Sequence, residues 1–92
     1  MVDVNKFLTE FVGTFVFLSV ILATGQAIPI GIALAAVIFA TGKVSGGHVN
    51  PAVSIMSYAN GGMSMGDLVS YIVAQILGGL CALAWSKHAK TA

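Results

Sequence analysis

Few residues in this sequence could do chemistry. The acids are Asp3, Glu10 and Asp67, the imidazoles His48 and His88, and the one thiol is Cys81. The acids are scattered, and no nucleophile lies at a spacing that pairs it with a base, which argues against catalysis. His48 has no second His, Cys or acid close to it in sequence, so no metal centre is expected. A single cysteine rules out a disulfide within the chain, and Cys81, inside an apolar run, is expected to be a packing residue. What remains is hydrogen bonding by uncharged groups. It concentrates in Ser45-Gly46-Gly47-His48-Val49-Asn50-Pro51-Ala52-Val53-Ser54-Ile55.

Within that stretch, Asn50-Pro51 reads as a helix start. Asn caps free N–H groups, and Pro fits the first helical position. About nine helical residues from Pro51 would reach roughly 13 Å, near half of a ~30 Å hydrocarbon layer. Two readings fit this spacing. In one, the Gly-rich approach and short helix re-enter the membrane. Carbonyls from Ser45 to Val49 then face a wet cavity, and the helix dipole with the Asn50 amide sits at mid-depth. Such a site holds the oxygen of a neutral solute and repels cations. In the other, a surface loop leads into an interfacial amphipathic helix.

Two more polar groups need partners. Glu10 lies inside an apolar run, where an acid is costly unless it faces a partner or cavity. Lys6, one turn earlier, is a candidate partner. Gln75 is a mid-span amide with a similar need.

The elements that must position these groups are apolar. The chain has 92 residues, 58% apolar and 8% charged, with four Lys and no Arg. Mean hydropathy is +0.98. A soluble domain carries about 25% charged residues. A soluble globular domain and intrinsic disorder are therefore both disfavoured. A net charge of +1 without a basic cluster argues against nucleic acid as a partner. Three segments, about 7–24, 28–44 and 67–86, are near the ~20 residues that span a bilayer. The first reads as a retained span rather than a cleaved signal. Gly25-Gln26 closes the first span, Pro29 opens the second and Gly42-Lys43 closes it. Asn60-Gly61-Gly62 breaks the chain before a Ser64…Asp67 capping pattern. Gly13, Gly31, Gly78 and Gly79 fall within spans and predict close helix contacts. Trp85 beside Lys87 reads as an interfacial anchor.

Ser45-Gly46-Gly47-His48-Val49-Asn50-Pro51-Ala52-Val53 resembles the first Asn-Pro-Ala loop of the aquaporins and glycerol facilitators. Glu10-Phe11-Val12-Gly13-Thr14-Phe15 is similar to that family's first-helix signature, and Tyr71-Ile72-Val73-Ala74-Gln75-Ile76-Leu77-Gly78-Gly79 to its third helix. The resemblance runs from about Phe7 to Trp85. It implies an all-α membrane protein with three transmembrane helices and one re-entrant half-helix, half of the family's inverted-repeat fold. It also implies passive flow of water or a small neutral solute, without catalysis, cofactor or metal.

The resemblance further implies residue roles. Asn50, His48, Gly46, Gly47, Ile30 and Val53 would line the conduit. Glu10, Gln75, Pro51 and Ala52 would support the loop, with Glu10 accepting hydrogen bonds from its backbone. The family's second loop continues with Arg where this one has Val53, and Ile30 stands at a filter position often aromatic in water-specific members. A wider, less polar filter is expected. Because this chain holds one Asn-Pro-Ala motif, a partner must complete the conduit. That partner is a second, inverted copy or a different chain carrying the other half. Three spans place Lys6 and Lys43 on one side and Lys87 and Lys90 on the other, a tie that leaves orientation unbiased. The competing function is a structural or regulatory membrane subunit that conducts nothing.

Overall fold

The computed structural model describes residues 2–91. They form four helices, α1 (Val4–Thr24), α2 (Ala27–Ser45), α3 (Pro51–Ala59) and α4 (Met65–Thr91). At 1.5 Å per residue, α1, α2 and α4 reach about 31, 28 and 40 Å, while α3 reaches only about 13 Å. Each of the three long helices is apolar and long enough to cross a membrane. The chain is an all-α, multi-pass integral membrane protein.

Local chemistry sets the helix ends. Asp3 Oδ1 accepts from Lys6 N at 3.1 Å, so α1 starts a turn before the apolar run. Gly25 ends α1 in the left-handed region. The second helix, α2, begins at Ala27 and carries Pro29 in its first turn, where a missing N–H costs no intrahelical bond. Gly42 and Lys43 lie in its last turn. The helix runs to Ser45 and stops at Gly46, whose φ of 87° favours glycine. Ser64 Oγ accepts from Asp67 N at 3.1 Å at the start of α4. The capping pattern is half realised, because the Asp67 carboxylate instead meets Lys6 Nζ at 3.6 Å.

The first helix, α1, lies between the other spans, packing on α4 along one side and α2 along another, and α3 packs on α4. Gly78 sets the α1–α4 approach. A Cβ there would lie 2.6 Å from the Phe11 carbonyl oxygen and 3.2 Å from Phe15 N. Gly13 does similar work, flanked by Val37 and Val49. Gly31 departs from the expectation for span glycines, because nothing lies near it. Cys81 departs too. It is exposed on α4 rather than packed, since lipid accepts an apolar thiol on the outer face. Large apolar side chains such as Phe39 and Ile28 also point outward, at 93% and 73% exposure. The largest wholly enclosed side chains are polar: Glu10, Thr14 and Ser54. Lipid gives apolar groups little reason to hide and polar groups every reason.

Candidate functional site

The site is built around one carboxylate. Glu10 is 0% exposed, and four donors converge on it. Ser45 Oγ donates to Oε2 at 2.7 Å and His48 N to Oε2 at 3.1 Å. Val49 N donates to Oε1 at 2.8 Å and Gln75 Nε2 to Oε1 at 2.9 Å. His48 and Val49 belong to the segment joining α2 to α3, Ser45 is the last residue of α2, and Gln75 lies on α4. A buried charge is tolerable only when paired or richly hydrogen-bonded, and here four N–H and O–H groups supply that environment. Lys6 is not the partner of Glu10; it pairs with Asp67.

The loop carries strain that these bonds hold in place. Val49 has φ 44°, a region that a β-branched side chain rarely adopts. Its N–H is fixed by Glu10, and its side chain is buried against Gly13. Gly47 is buried, and a Cβ there would meet Thr41 Oγ1 at 3.0 Å and Ile38 Cα at 3.1 Å. The Ser45 carbonyl, expected to face a conduit, is instead taken by Tyr71 Oη at 2.7 Å. Ser54 is fully buried and ties α3 to α4 and the loop. Its Oγ accepts from Gln75 Nε2 at 3.0 Å and lies 2.9 Å from His48 Nδ1.

Asn50 caps the start of α3. Its Oδ1 accepts from Ala52 N at 2.8 Å, which turns the Nδ2 end of the amide outward. Asn50 and Pro51 border a groove of about 550 Å³ together with Thr14, the central residue of α1. From there the groove continues along α1 to Leu22 and along α4 to Leu83. Two buried polar atoms on its lining residues, Thr14 Oγ1 and Gln75 Oε1, have no hydrogen-bond partner among the described residues. The groove therefore begins at the N-terminal end of α3 and runs along the C-terminal half of α1.

Residues 22–91 match the profile of a family described as Major intrinsic protein. The chain belongs to the major intrinsic protein family. It is 42% identical over 89 residues to a glycerol uptake facilitator protein-like 6 of Lactiplantibacillus plantarum. It is 34% identical to an aquaporin Z of Photorhabdus laumondii and 38% identical to one of Brucella melitensis, each over 95 residues. In all three cases 87% of this chain is matched. The chain spans only about 41% of the length of these relatives. No solved structure matches it.

Within this half of a major intrinsic protein, the named residues divide into two sets. Glu10, Gln75, His48, Pro51 and Ala52 gather around the loop and the start of α3. Gly46 is exposed at the mouth of a second, smaller pocket, and Val53 is half-buried on α3. Ile30 is not brought to them. It sits in the first turn of α2, about 22 Å along that helix from Ser45. The sequence reading gave no role to Ser54, Tyr71, Thr14 or the Ser45 hydroxyl. Their signal was present in the spacing: Thr14 is one turn from Glu10, Tyr71 one turn from Gln75, and Ser54 one turn from Asn50.

Proposed function

We propose that this chain is one half of a passive channel for water or small neutral solutes, completed by a second copy inserted in the opposite orientation. The observation that carries it is the groove beyond Asn50. It extends about 12 Å along α1 from Thr14, close to the ~13 Å length of α3. An inverted copy of α3 would fill it and shield its apolar walls and the start of α3. The two helix N-termini would then face each other at mid-depth. Their dipoles and outward Asn50 amides would hold a solute oxygen and exclude cations.

The relatives' names, glycerol uptake facilitator and aquaporin, are in keeping with this solute class. Val53 and Ile30 add no charge to the conduit, and the sequence holds no Arg. A filter that passes small polyols as well as water follows. The equal division of Lys between the two sides fits insertion both ways.

Liposomes containing only this protein provide the test. Stopped-flow shrinkage should be faster than in protein-free vesicles, and Asn50→Asp should slow it by placing an anion where the solute oxygen sits. Shrinkage no faster than in empty vesicles removes the self-paired channel. Tags on each terminus should be found on both sides. A single orientation would point to a different partner chain or to a non-conducting subunit.

A further inference from the structure

The α1–α4 pair has a second groove on its other side. It holds about 570 Å³ and is bordered by Phe15, Val20 and Ala23 of α1 and by Trp85 and Ala89 of α4. At about 100° per residue, these α1 positions project to the side of the helix opposite Thr14, Leu18 and Ile21, which line the groove beyond Asn50. An inverted α3 seated beyond Asn50 therefore does not reach this second groove.

The groove occupies one end of the molecule. It runs from Phe15 to Thr24, the last residue of α1, and meets the final turns of α4 from Trp85 to Lys90. At 1.5 Å per residue its length along α1 is about 13 Å, close to the ~15 Å of one hydrocarbon leaflet. The walls are apolar through most of that depth. Ser19 is the polar residue deeper in, and its Oγ is itself enclosed. Thr24, Ser86 and Lys90 gather where α1 stops. Trp85, 56% exposed at the same level, is a residue type that settles at the headgroup boundary. An apolar slot one leaflet deep with a polar, cationic mouth has the form of a lipid: an acyl chain below and a charged headgroup above.

The sign of the headgroup follows from the charges. The starts of α1 and α4 share one end of the molecule, as the 3.6 Å Lys6–Asp67 contact shows. That end holds Lys6 and Lys43 balanced by Asp3 and Asp67. The end with the groove holds Lys87 and Lys90 and, among the described residues, no acid. One end is thus neutral in these side chains and the other carries two positive charges. A basic recess between spans favours acidic lipid headgroups. Lys suits such a mouth, because its stem lies on apolar surface while its ammonium stays in the polar layer.

We propose that the groove between the C-terminal half of α1 and the end of α4 is a binding site for one acidic phospholipid. An acyl chain lies along Phe15, Val20 and Ala23, and the phosphate meets Lys90, with the Ser86 hydroxyl as a further donor. Lys87 does not line the groove and adds only to the surrounding potential. The site faces away from Asn50, so it stands whether or not two copies pair.

The test uses Trp85, the one tryptophan of the chain, whose fluorescence a brominated acyl chain quenches on contact. The full chain is placed in phosphatidylcholine vesicles, and dibrominated phosphatidylglycerol or dibrominated phosphatidylcholine is titrated in. The brominated phosphatidylglycerol should quench at an about fivefold lower mole fraction, the factor one Lys is worth near an acidic surface. Lys90→Gln should bring the two curves together, Lys90→Arg should keep them apart, and Lys87→Gln should leave most of the gap. Ala23→Phe, which puts a ring into the groove, should close the gap although Lys90 remains. Equal curves for the two lipids in the unmutated protein overturn the site. A gap that Lys87→Gln and Lys90→Gln narrow alike also overturns it, because the attraction is then a property of the whole rim. Trp85 protected from both brominated lipids overturns it as well, since protein from a second copy then covers the groove.

Discussion

Replacing Glu10 by Gln removes the charge that pins the loop while nearly preserving shape. The amide offers one oxygen and one NH₂ where the carboxylate offered two acceptors. If its oxygen takes Val49 N and Gln75 Nε2, its nitrogen faces Ser45 Oγ and His48 N. The Ser45 hydroxyl can rotate to accept, but His48 N–H cannot. One buried backbone donor is orphaned, and the surviving bonds lose their ionic partner. Orphaning costs ~1–3 kcal/mol, and charge-assisted bonds exceed neutral ones by about 1 kcal/mol. A local cost of about 2–4 kcal/mol follows, which corresponds to roughly 30- to 700-fold easier opening of the loop. The spans should persist, since their own backbone bonds are internal. Hydrogen–deuterium exchange in bilayers reads this directly: the His48 and Val49 amides should exchange faster by that factor, with α1 and α4 unchanged. Protection of both amides at the level of the unmutated protein would refute the assignment of Glu10 as the anchor.

Other expectations concern packing and charge. Gly78→Val places carbon against the Phe11 carbonyl and should destabilise the α1–α4 contact by ~1–3 kcal/mol or more, seen as a lower unfolding midpoint in a detergent titration. Gly31→Val, with open space around it, should leave the intrachain midpoint unchanged. Tyr71→Phe strips the buried Ser45 carbonyl of its donor and should cost about 1–2 kcal/mol in the same titration. Lys6→Ala should cost no more than ~1 kcal/mol, because the Lys6–Asp67 pair is partly solvated, and the difference should shrink in high salt.

Composition and local rules alone were enough for much of the architecture. Apolar runs punctuated by Gly25-Gln26 and Asn60-Gly61-Gly62 marked the spans because a bilayer demands continuous apolar helix. Asn50-Pro51 marked the half-helix because capping chemistry is local. Helix ends were less legible. Asp3 and Ser64 extended α1 and α4 beyond the apolar windows, and Gly42 stayed helical because its backbone bonds were already met within α2.

The sequence by itself determined that this chain belongs in a membrane, that it has three spans and one short helix, and that Glu10 and Gln75 need polar company. Tertiary structure decided which company. Glu10 lies 35 residues from Ser45 and 65 from Gln75 in the chain, so no local pattern could join them. The enclosure of Ser54, the capture of the Ser45 carbonyl by Tyr71 and the groove beyond Asn50 were likewise decided by folding. Hydropathy reports a residue's preference for lipid or water, whereas the partner of a buried hydrogen bond depends on how close Gly78 lets α4 come to α1.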